Sequence, residues 1–360
     1  MGTARLPVAE QAEQFQLSPD YVRISMAAAM VLGLERGRFL RDAATRCVNL
    51  LQNYPEGCWA NCSYCGLARE RPGVAEENSF IRVGWPLYTT DLVADKIAEH
   101  QEAIGRVCIA QVHDKRANED LVDMTRCVRA QSDVLISALV TATLLDHGWL
   151  ARIQEAGADI IGIGLDGASA EVFHDCRGRG TKGPHDWEYH WDIVEAAREM
   201  YGPYKVNCHI VVGLGETDRD LVRLFRNLKA KQVAGYLFSF NPEPGTAMAD
   251  KPRAPLHRWR RIQLVKHLIE EHGIEEDAVG FDADGSMVRL SATDDQVDEA
   301  IASGTPFMTD GCPDTEGEVA CNRPYGSYRP GEEFRDYPFL PIADDTVRIR
   351  HELRLEEIHA

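Results

Sequence analysis

The sequence lacks a surplus of basic residues, a long apolar run and any repeat or low-complexity tract. Asp and Glu number 57 against 39 Lys and Arg, which gives the chain a formal net charge of −18. Broad nucleic-acid binding is disfavoured, because neutralising phosphates requires a surplus of Lys and Arg. No segment is long and apolar enough to span a bilayer, and the first residues do not follow the signal-peptide pattern. We therefore expect a cytoplasmic protein that binds neither nucleic acid nor membrane.

The ten cysteines need an explanation other than disulfide bonds. Thiols stay reduced in the cytoplasm, and a chain of 360 residues can bury a core large enough to fold without covalent cross-links. The cysteines are therefore expected either to pack in the core or to bind metal.

Apolar segments with the length of strands alternate with longer amphipathic segments after about residue 40. This alternation predicts parallel βαβ units and an α/β fold of the (βα)8 barrel type, closed or nearly closed. In such barrels the chemistry takes place at the carboxyl ends of the strands. The predicted strands are 47–52, 106–112, 134–140, 159–165, 205–212, 236–240, 278–281 and 287–290, of which the last two have the weakest pattern.

The chain divides into a helical N-terminal extension over residues 1–40, a barrel over 41–300 and a C-terminal extension over 301–360. The apolar segment 24–34 is expected to be a buried helix. The C-terminal extension has little periodicity and contains Gly311-Cys312-Pro313 and Cys321-Asn322-Arg323-Pro324-Tyr325. Disordered tails are poor in Cys and Tyr, so we expect this extension to be ordered and to fold over one face of the barrel.

Three cysteines lie close together after the first predicted strand, in Gly57-Cys58-Trp59-Ala60-Asn61-Cys62-Ser63-Tyr64-Cys65-Gly66. Three thiolates on one loop can hold three irons of a cubane cluster and leave the fourth iron open to a small chelator. A zinc site is the alternative, but it would need a fourth ligand nearby, and no His or Cys follows within a dozen residues. Cysteines that merely pack in the core would be scattered along the chain.

This C-x3-C-x2-C pattern, with an aromatic residue before its last cysteine, resembles the signature of radical S-adenosylmethionine (SAM) enzymes. The resemblance implies a [4Fe–4S] cluster on Cys58, Cys62 and Cys65, whose free iron is chelated by the amino and carboxylate groups of SAM. An electron from an external donor then cleaves SAM to methionine and a 5′-deoxyadenosyl radical, which removes an unactivated hydrogen from the substrate.

Two further segments resemble SAM-contacting positions of that family. The segment Val211-Val212-Gly213-Leu214-Gly215-Glu216-Thr217 is similar to its fifth-strand adenine motif, with Gly213, Gly215 and Glu216 as candidate contacts. A glycine-rich strand end lets a flat ring approach the backbone, although a plain strand–helix turn with a capping Thr has the same pattern. Tyr64 is expected to contact the adenine through its backbone.

Two polar residues follow the fourth predicted strand. Asp166 lies where the biotin-synthase branch holds the SAM ribose, and a helix N-cap is the alternative. Arg177, with Arg179 and Lys182 in the same glycine-rich loop, is a candidate partner of the SAM carboxylate, because Arg pairs bidentately with carboxylates. A solvated basic loop is the alternative.

The predicted barrel as a whole resembles biotin synthase, a radical SAM enzyme that inserts sulfur. Cys108 lies where that family places a ligand of its second, sacrificial cluster. The remaining ligand positions differ, since 134–140 has no Cys and the other two positions fall on Asn207 and Asp294. Biotin synthase itself is therefore rejected.

The C-terminal extension is similar to the tail of the two-protein lipoyl synthases of archaea and some bacteria. This resemblance extends from about residue 45 to 341. It implies an auxiliary [4Fe–4S] cluster on Cys312, Cys321 and Cys108 as the sulfur donor, with Ser327 or Arg329 beside it as a labile ligand or hydrogen-bond donor. The insert 314–320 separates the two tail cysteines further than in those relatives.

The implied activity is insertion of sulfur into an octanoyl chain on a lysine of a carrier, such as a lipoyl domain or the glycine-cleavage H protein, with a second lipoyl synthase component acting at another carbon. Another biotin-synthase-like radical SAM reaction (mutase, methylase or different sulfur insertion) and a non-catalytic iron–sulfur or zinc protein are the alternatives. Cys208 is left open. We interpret Cys47, Cys127 and Cys176 as packing or surface thiols. We interpret His113, His185 and His209 as structural histidines.

Overall fold

Six neighbouring parallel strands make up most of one eight-stranded sheet in this computed structural model, which describes residues 16–73, 79–323, 325–326 and 333–358. The strand order is β3-β1-β2-β4-β5-β6-β7-β8, and β1 is antiparallel to both of its neighbours. The bounds are Tyr21–Ile24 (β1), Cys47–Gln52 (β2), Leu87–Thr89 (β3), Arg106–Ala110 (β4), Leu135–Val140 (β5), Ile160–Asp166 (β6), Val206–Val212 (β7) and Ala234–Ser239 (β8).

Helices connect the parallel strands, as expected for crossover connections. Each of α2 and α7 begins at a threonine whose side chain accepts a backbone N–H of the first turn, namely Thr89 and Thr217. The helices are Met26–Val31 (α1), Thr90–Glu99 (α2), Ala117–Gln131 (α3), His147–Glu155 (α4), Ala170–Cys176 (α5), Trp187–Tyr201 (α6), Asp218–Lys231 (α7), Leu256–His272 (α8), Asp294–Ser303 (α9) and Ala343–Leu353 (α10).

The predicted α/β fold with parallel strands is confirmed, and its sheet is nearly closed at most, since its two edge strands remain apart. In the described part of the chain, the sheet ends at β3 and β8, which do not pair with each other. The last two predicted strands were wrongly assigned to the barrel, because Val279–Phe281 (β9) and Met287–Leu290 (β10) form a separate antiparallel hairpin. Only residues 282–286 join them, and parallel neighbours need a crossover of a dozen residues or more.

The N-terminal segment is less helical than its composition predicts. Within residues 16–40, β1 is a strand that lies between β2 and β3 in the sheet, and the buried apolar segment forms only the short α1. Val22 and Ile24 are fully buried between β2 and β3, and this pairing overrides any helical preference of the segment.

The C-terminal extension folds back against the amino ends of the parallel strands. At the start of β4, Arg106 Nε donates to the carbonyl of Pro313 at 2.7 Å. Asn322 donates to the carbonyl of Ala44, just before β2, at 2.6 Å. The described part of the extension therefore covers one end of the sheet, as its Cys and Tyr content predicts.

None of the helices that the structure describes combines the length and the apolar character needed to cross a membrane.

Candidate active site

A single cavity of about 300 Å³ receives side chains from all six parallel strands. Its wall includes the three loop cysteines after β2 and three further cysteines, one on β4 and two in the C-terminal extension. The structure thus brings together the six cysteines that the sequence predicts as ligands, namely Cys58, Cys62, Cys65, Cys108, Cys312 and Cys321.

The loop after β2 holds the first three cysteines through its backbone. The Trp59 N–H donates to the carbonyl of His113 at 2.9 Å, and the Ser63 N–H donates to the carbonyl of Cys176 at 2.8 Å. The loop is therefore anchored to the segments that follow β4 and β6. Burial raises the pKa of the Cys62 thiol to about 12 and raises those of Cys58 and Cys65 as well. Metal binding must therefore displace protons from these thiols.

Neither set of cysteines is spaced for a single metal ion. Among the described residues, only His174, Asp186 and Glu188 bring three potential ligand atoms within 4.8 Å of one another, and two of these residues are exposed. The cysteine sulfurs are more widely spaced, as a multi-iron cluster with separate iron atoms requires. The donor set therefore fits an iron–sulfur cluster better than the zinc alternative.

Asp166, Tyr64 and Arg177 form a hydrogen-bonded group in the cavity wall, in which Arg177 is buried and the other two are partly buried. The Tyr64 hydroxyl and an Arg177 guanidinium N–H both donate to the same Asp166 carboxylate oxygen. Arg177 also donates to the carbonyl of Gly164 at 2.6 Å. The alternative of Asp166 as a helix N-cap is wrong, because Ser169 caps α5.

The basic loop after β6 does not act as one unit. Arg177 is buried, whereas Arg179 and Lys182 are exposed and outside the cavity wall. The interpretation as a solvated loop therefore holds for the latter two residues only. Arg177 lies close enough to Cys62 and Cys65 to interact electrostatically with both.

The glycine-rich turn after β7 is held by Glu216. Its carboxylate accepts the N–H groups of Gly213 at 2.8 Å, Leu214 at 2.9 Å and Gly215 at 3.1 Å. Gly213 and Gly215 have φ values of +115° and +140°, which other residues rarely adopt. Val211 lines the cavity, whereas Gly213, Gly215 and Glu216 do not, so the role of these three in SAM binding stays a prediction.

Cys312 and Cys321 are adjacent because the chain between them forms a hairpin. The N–H groups of Ala320 and Cys321 both point to the carbonyl of Cys312, at 3.0 and 3.4 Å. Inside the turn, the Asp314 carboxylate accepts the N–H groups of Glu316 and Glu318 and pairs with Arg46 at 2.6 Å. The insert 314–320 therefore does not separate the two cysteines in space.

Amide side chains from two strands contact the sulfurs of the second set. The Asn49 Nδ2 atom lies 3.4 Å from Cys321 Sγ, and Asn207 Nδ2 lies 3.6 Å from Cys312 Sγ. Cys108 is the register partner of Asn49 on the neighbouring strand. Amide donors to sulfur suit an anionic iron–sulfur cluster. Ser327 and Arg329 lie outside the described residues.

Sequence reasoning missed three contributors to this second group, namely Cys47, Asn49 and Tyr236. Cys47 was predicted to be a packing or surface thiol, but its sulfur lies 3.5 Å from the Asn49 amide that also contacts Cys321. Tyr236 hydrogen-bonds to Cys312 and lines the cavity. The signal was available in β2, since side chains two apart on a strand share a face.

The cavity wall does not include Cys127, Cys176 or Cys208, whereas all three candidate histidines line it. Cys208 is fully buried and absent from the cavity wall, and Cys176 contacts the carbonyl of Leu214. His209 lines the cavity against Phe238, with ring centroids 4.7 Å apart. Burial and nearby Arg323 lower the pKa of His209 to about 3, so this ring is neutral at physiological pH. His113 and His185 also line the cavity, which the sequence did not predict.

Comparisons with known proteins agree with this geometry. Residues 53–228 match the family model described as the radical SAM superfamily. The biotin synthase of Cereibacter sphaeroides is 25% identical over 234 residues, which cover 64% of this chain and 61% of that protein. The biotin synthase of Cutibacterium acnes is 26% identical over 264 residues, which cover 71% and 68% of the two chains.

A shorter match and a structural likeness accompany these relatives. A tRNA-2-methylthio-N(6)-dimethylallyladenosine synthase of Rickettsia rickettsii is 29% identical over 132 residues, covering 34% of this chain and 28% of that protein. Among solved structures, methylornithine synthase superposes with a TM-score of 0.48 at 13% identity, covering 68% of this chain and 66% of that chain.

Proposed function

We propose that this chain is a radical SAM sulfurtransferase that inserts sulfur into an unactivated C–H bond of a protein-bound octanoyl chain in lipoyl cofactor biosynthesis. One observation carries the proposal: two sets of three cysteines line the same cavity. Sulfur insertion needs a site that opens a C–H bond and a sulfur atom held within reach of the resulting carbon. The lipoyl assignment rests on the sequence resemblance, since the relatives named above are biotin synthases and a tRNA methylthio-synthase.

The match to the radical SAM superfamily implies a [4Fe–4S] cluster and SAM, and Cys58, Cys62 and Cys65 are the residues that would hold the cluster. In the proposal, Cys108, Cys312 and Cys321 hold a second cluster. When bound, these groups would supply a 5′-deoxyadenosyl radical for removal of a substrate hydrogen and a sulfide for the carbon that is left.

The chain's own residues bind and orient SAM in this proposal. Asp166 offers a carboxylate at the cavity wall whose charge is balanced by Arg177 and whose position is fixed by the Tyr64 hydroxyl. A carboxylate held in this way can accept hydrogen bonds from ribose hydroxyl groups. Arg177, which interacts with Cys62 and Cys65, is placed to balance negative charge at the first cysteine set.

Apolar side chains on one side of the cavity suit an aliphatic substrate chain. Leu51, Ala110 and Val112 form a small cluster there, against which Leu67 and Leu139 pack. Each methylene that such a surface removes from water contributes about 0.8 kcal/mol, so a saturated acyl chain is well matched to it. This surface also excludes water from the reacting carbon.

A carrier-peptide assay tests the function. Anaerobically reconstituted protein, a reductant, SAM and an octanoyl-lysyl carrier peptide are incubated together, and the peptide is analysed by mass spectrometry. We expect the peptide to gain one sulfur, and its fragment masses identify the modified carbon. Because the proposed pathway includes a second lipoyl synthase component, the assay is also run with that component present. SAM cleavage without sulfur gain in either mixture overturns the proposal in favour of another biotin-synthase-like reaction.

Iron content tests the second cluster separately. Two clusters give about eight irons per chain, and the double variant Cys312→Ala/Cys321→Ala is expected to lose about four of them. The matched control, Cys127→Ala/Cys208→Ala, removes two thiols outside the cavity wall and should keep the full complement. If the Cys312/Cys321 variant keeps all its iron, these cysteines do not hold a cluster and the sulfur-donor assignment is wrong.

A further inference from the structure

We propose that Cys47 supplies the fourth thiolate of the second cysteine site, beside Cys108, Cys312 and Cys321. The inference rests on the proposed function, because that function places a cluster at this site. It changes the nature of the site, since a cluster held by four cysteines needs no ligand from the segment that carries Ser327 and Arg329.

Cys47 and Cys321 share a hydrogen-bond donor, the side-chain amide of Asn49. Asn49 Nδ2 lies 3.5 Å from Cys47 Sγ and 3.4 Å from Cys321 Sγ. Both sulfurs therefore lie within hydrogen-bond distance of the same amide nitrogen. The distance between the two sulfurs cannot exceed the sum of these two distances. Cys47 and Asn49 are two residues apart on β2, so their side chains share one face of the strand.

The remaining two cysteines lie on neighbouring backbone of the same region. Cys108 pairs in register with Asn49, and Arg106, the register partner of Cys47, donates to the carbonyl of Pro313 at 2.7 Å. Pro313 directly follows Cys312. All four thiols therefore lie in one region, which is formed by the amino ends of β2 and β4 and by the C-terminal hairpin.

The surroundings of Cys47 are not those of a packing thiol. Cysteines that fill a core contact apolar side chains, whereas the sulfur of Cys47, which is 1% exposed, contacts the Asn49 amide that also contacts Cys321. Electrostatic interactions also connect it with Cys108 and Cys312. Four cysteine ligands are the usual complement of a [4Fe–4S] cluster.

Cys47 is distinguished from its three partners by its position relative to the cavity. Cys108, Cys312 and Cys321 line the cavity, whereas Cys47 does not. Cys47 is therefore placed to anchor the side of a cluster that faces away from the substrate, and the three cavity-lining cysteines lie on the side where sulfur is transferred.

The test isolates the second site in a parent protein that carries Cys58→Ala, Cys62→Ala and Cys65→Ala. Cys47→Ala and the matched control Cys208→Ala are each added to this parent, since both replace a fully buried strand thiol. Iron and acid-labile sulfide are counted after anaerobic reconstitution, and Mössbauer spectra identify the cluster type. Circular dichroism shows whether each variant is folded.

We expect about four irons in the parent and in the Cys208→Ala control, and in the Cys47→Ala variant either fewer irons or four irons with a changed Mössbauer spectrum at one iron site. Four irons with an unchanged Mössbauer spectrum in Cys47→Ala overturn the inference and leave the proposed function intact. A folded parent that binds no iron overturns the proposed second cluster itself. If Cys47→Ala does not fold, Cys47→Ser replaces it, and a changed spectrum at one iron site is the expected result.

Discussion

The side-chain amide nitrogen of Asn49 lies 3.4 Å from the sulfur of Cys321, although 272 residues separate the two along the chain. Asn49 belongs to the first parallel strand, and Cys321 belongs to the C-terminal extension. The contact shows that the extension completes the cavity wall at the amino ends of the strands. The cavity therefore has cysteines at both of its ends. The three loop cysteines that follow β2 lie at one end, and Cys312 and Cys321 of the extension lie at the other.

Asp314 is predicted to set the geometry of the Cys312–Cys321 hairpin. Asp314→Ala removes the acceptor of two backbone N–H groups and the partner of Arg46, and should cost about 2–3 kcal/mol of unfolding free energy. The second site should also lose iron, measured after reconstitution. Glu318→Ala is the matched control, because that side chain is exposed in the same turn. Equal iron in both variants would show that the hairpin does not depend on Asp314.

Asp166 is predicted to control SAM affinity. Asp166→Ala removes a carboxylate in the cavity wall and leaves Arg177 buried without its partner. We expect the Kd for SAM to rise at least about tenfold, which corresponds to about 1.4 kcal/mol. Tyr64→Phe keeps the carboxylate and its charge partner, so its effect should be smaller. Equilibrium binding of SAM to the reconstituted variants measures both, and an unchanged Kd in Asp166→Ala would exclude the ribose contact.

Glu216 is predicted to stabilise the glycine turn after β7. Its carboxylate accepts three backbone N–H groups and pairs with Arg258 at 3.0 Å. Breaking such a buried pair costs about 3–5 kcal/mol, so Glu216→Ala should lower the urea midpoint strongly. Glu195→Ala breaks an exposed pair with Lys231 and should cost no more than about 1 kcal/mol. If both variants unfold at the same urea concentration, Glu216 does not hold the turn.

Asp336 is predicted to make stability fall as pH rises from 6 to 8. Burial raises the pKa of this carboxyl group to about 7, against opposing effects of Arg323 and Arg260. Above its ordinary pKa of 3.8 the unfolded chain has released a proton that the folded protein still holds, so stability falls with rising pH and levels off only when the folded form is also deprotonated, at about pH 8.

The matched variant for this prediction is Asp336→Asn, which can keep the hydrogen bond from Gln263. Across pH 6 to 8, the wild type should lose about 1 kcal/mol of unfolding free energy relative to the variant. Urea denaturation at several pH values measures this difference. Parallel curves for the two proteins would contradict the raised pKa.

The first cysteine set could be predicted because its information is local. The spacing of Cys58, Cys62 and Cys65 places them on one loop whatever the rest of the fold does. The six parallel strands were equally predictable, since each is an apolar segment bounded by polar ones. The hairpin of β9 and β10 was not, because a short apolar segment does not reveal which strand it pairs with.

Residue type and spacing determined the α/β class and the cluster loop, and the resemblance of the C-terminal extension to a known family supplied the candidate ligands there. The tertiary structure decided which distant groups meet: it brought Cys47 and Asn49 to Cys321, paired Asp166 with Arg177, and kept Glu216 within its own turn. Contacts between residues hundreds of positions apart depend on strand order and on where the extension folds back. Those are properties of the whole packed chain, and no local pattern of residues encodes them.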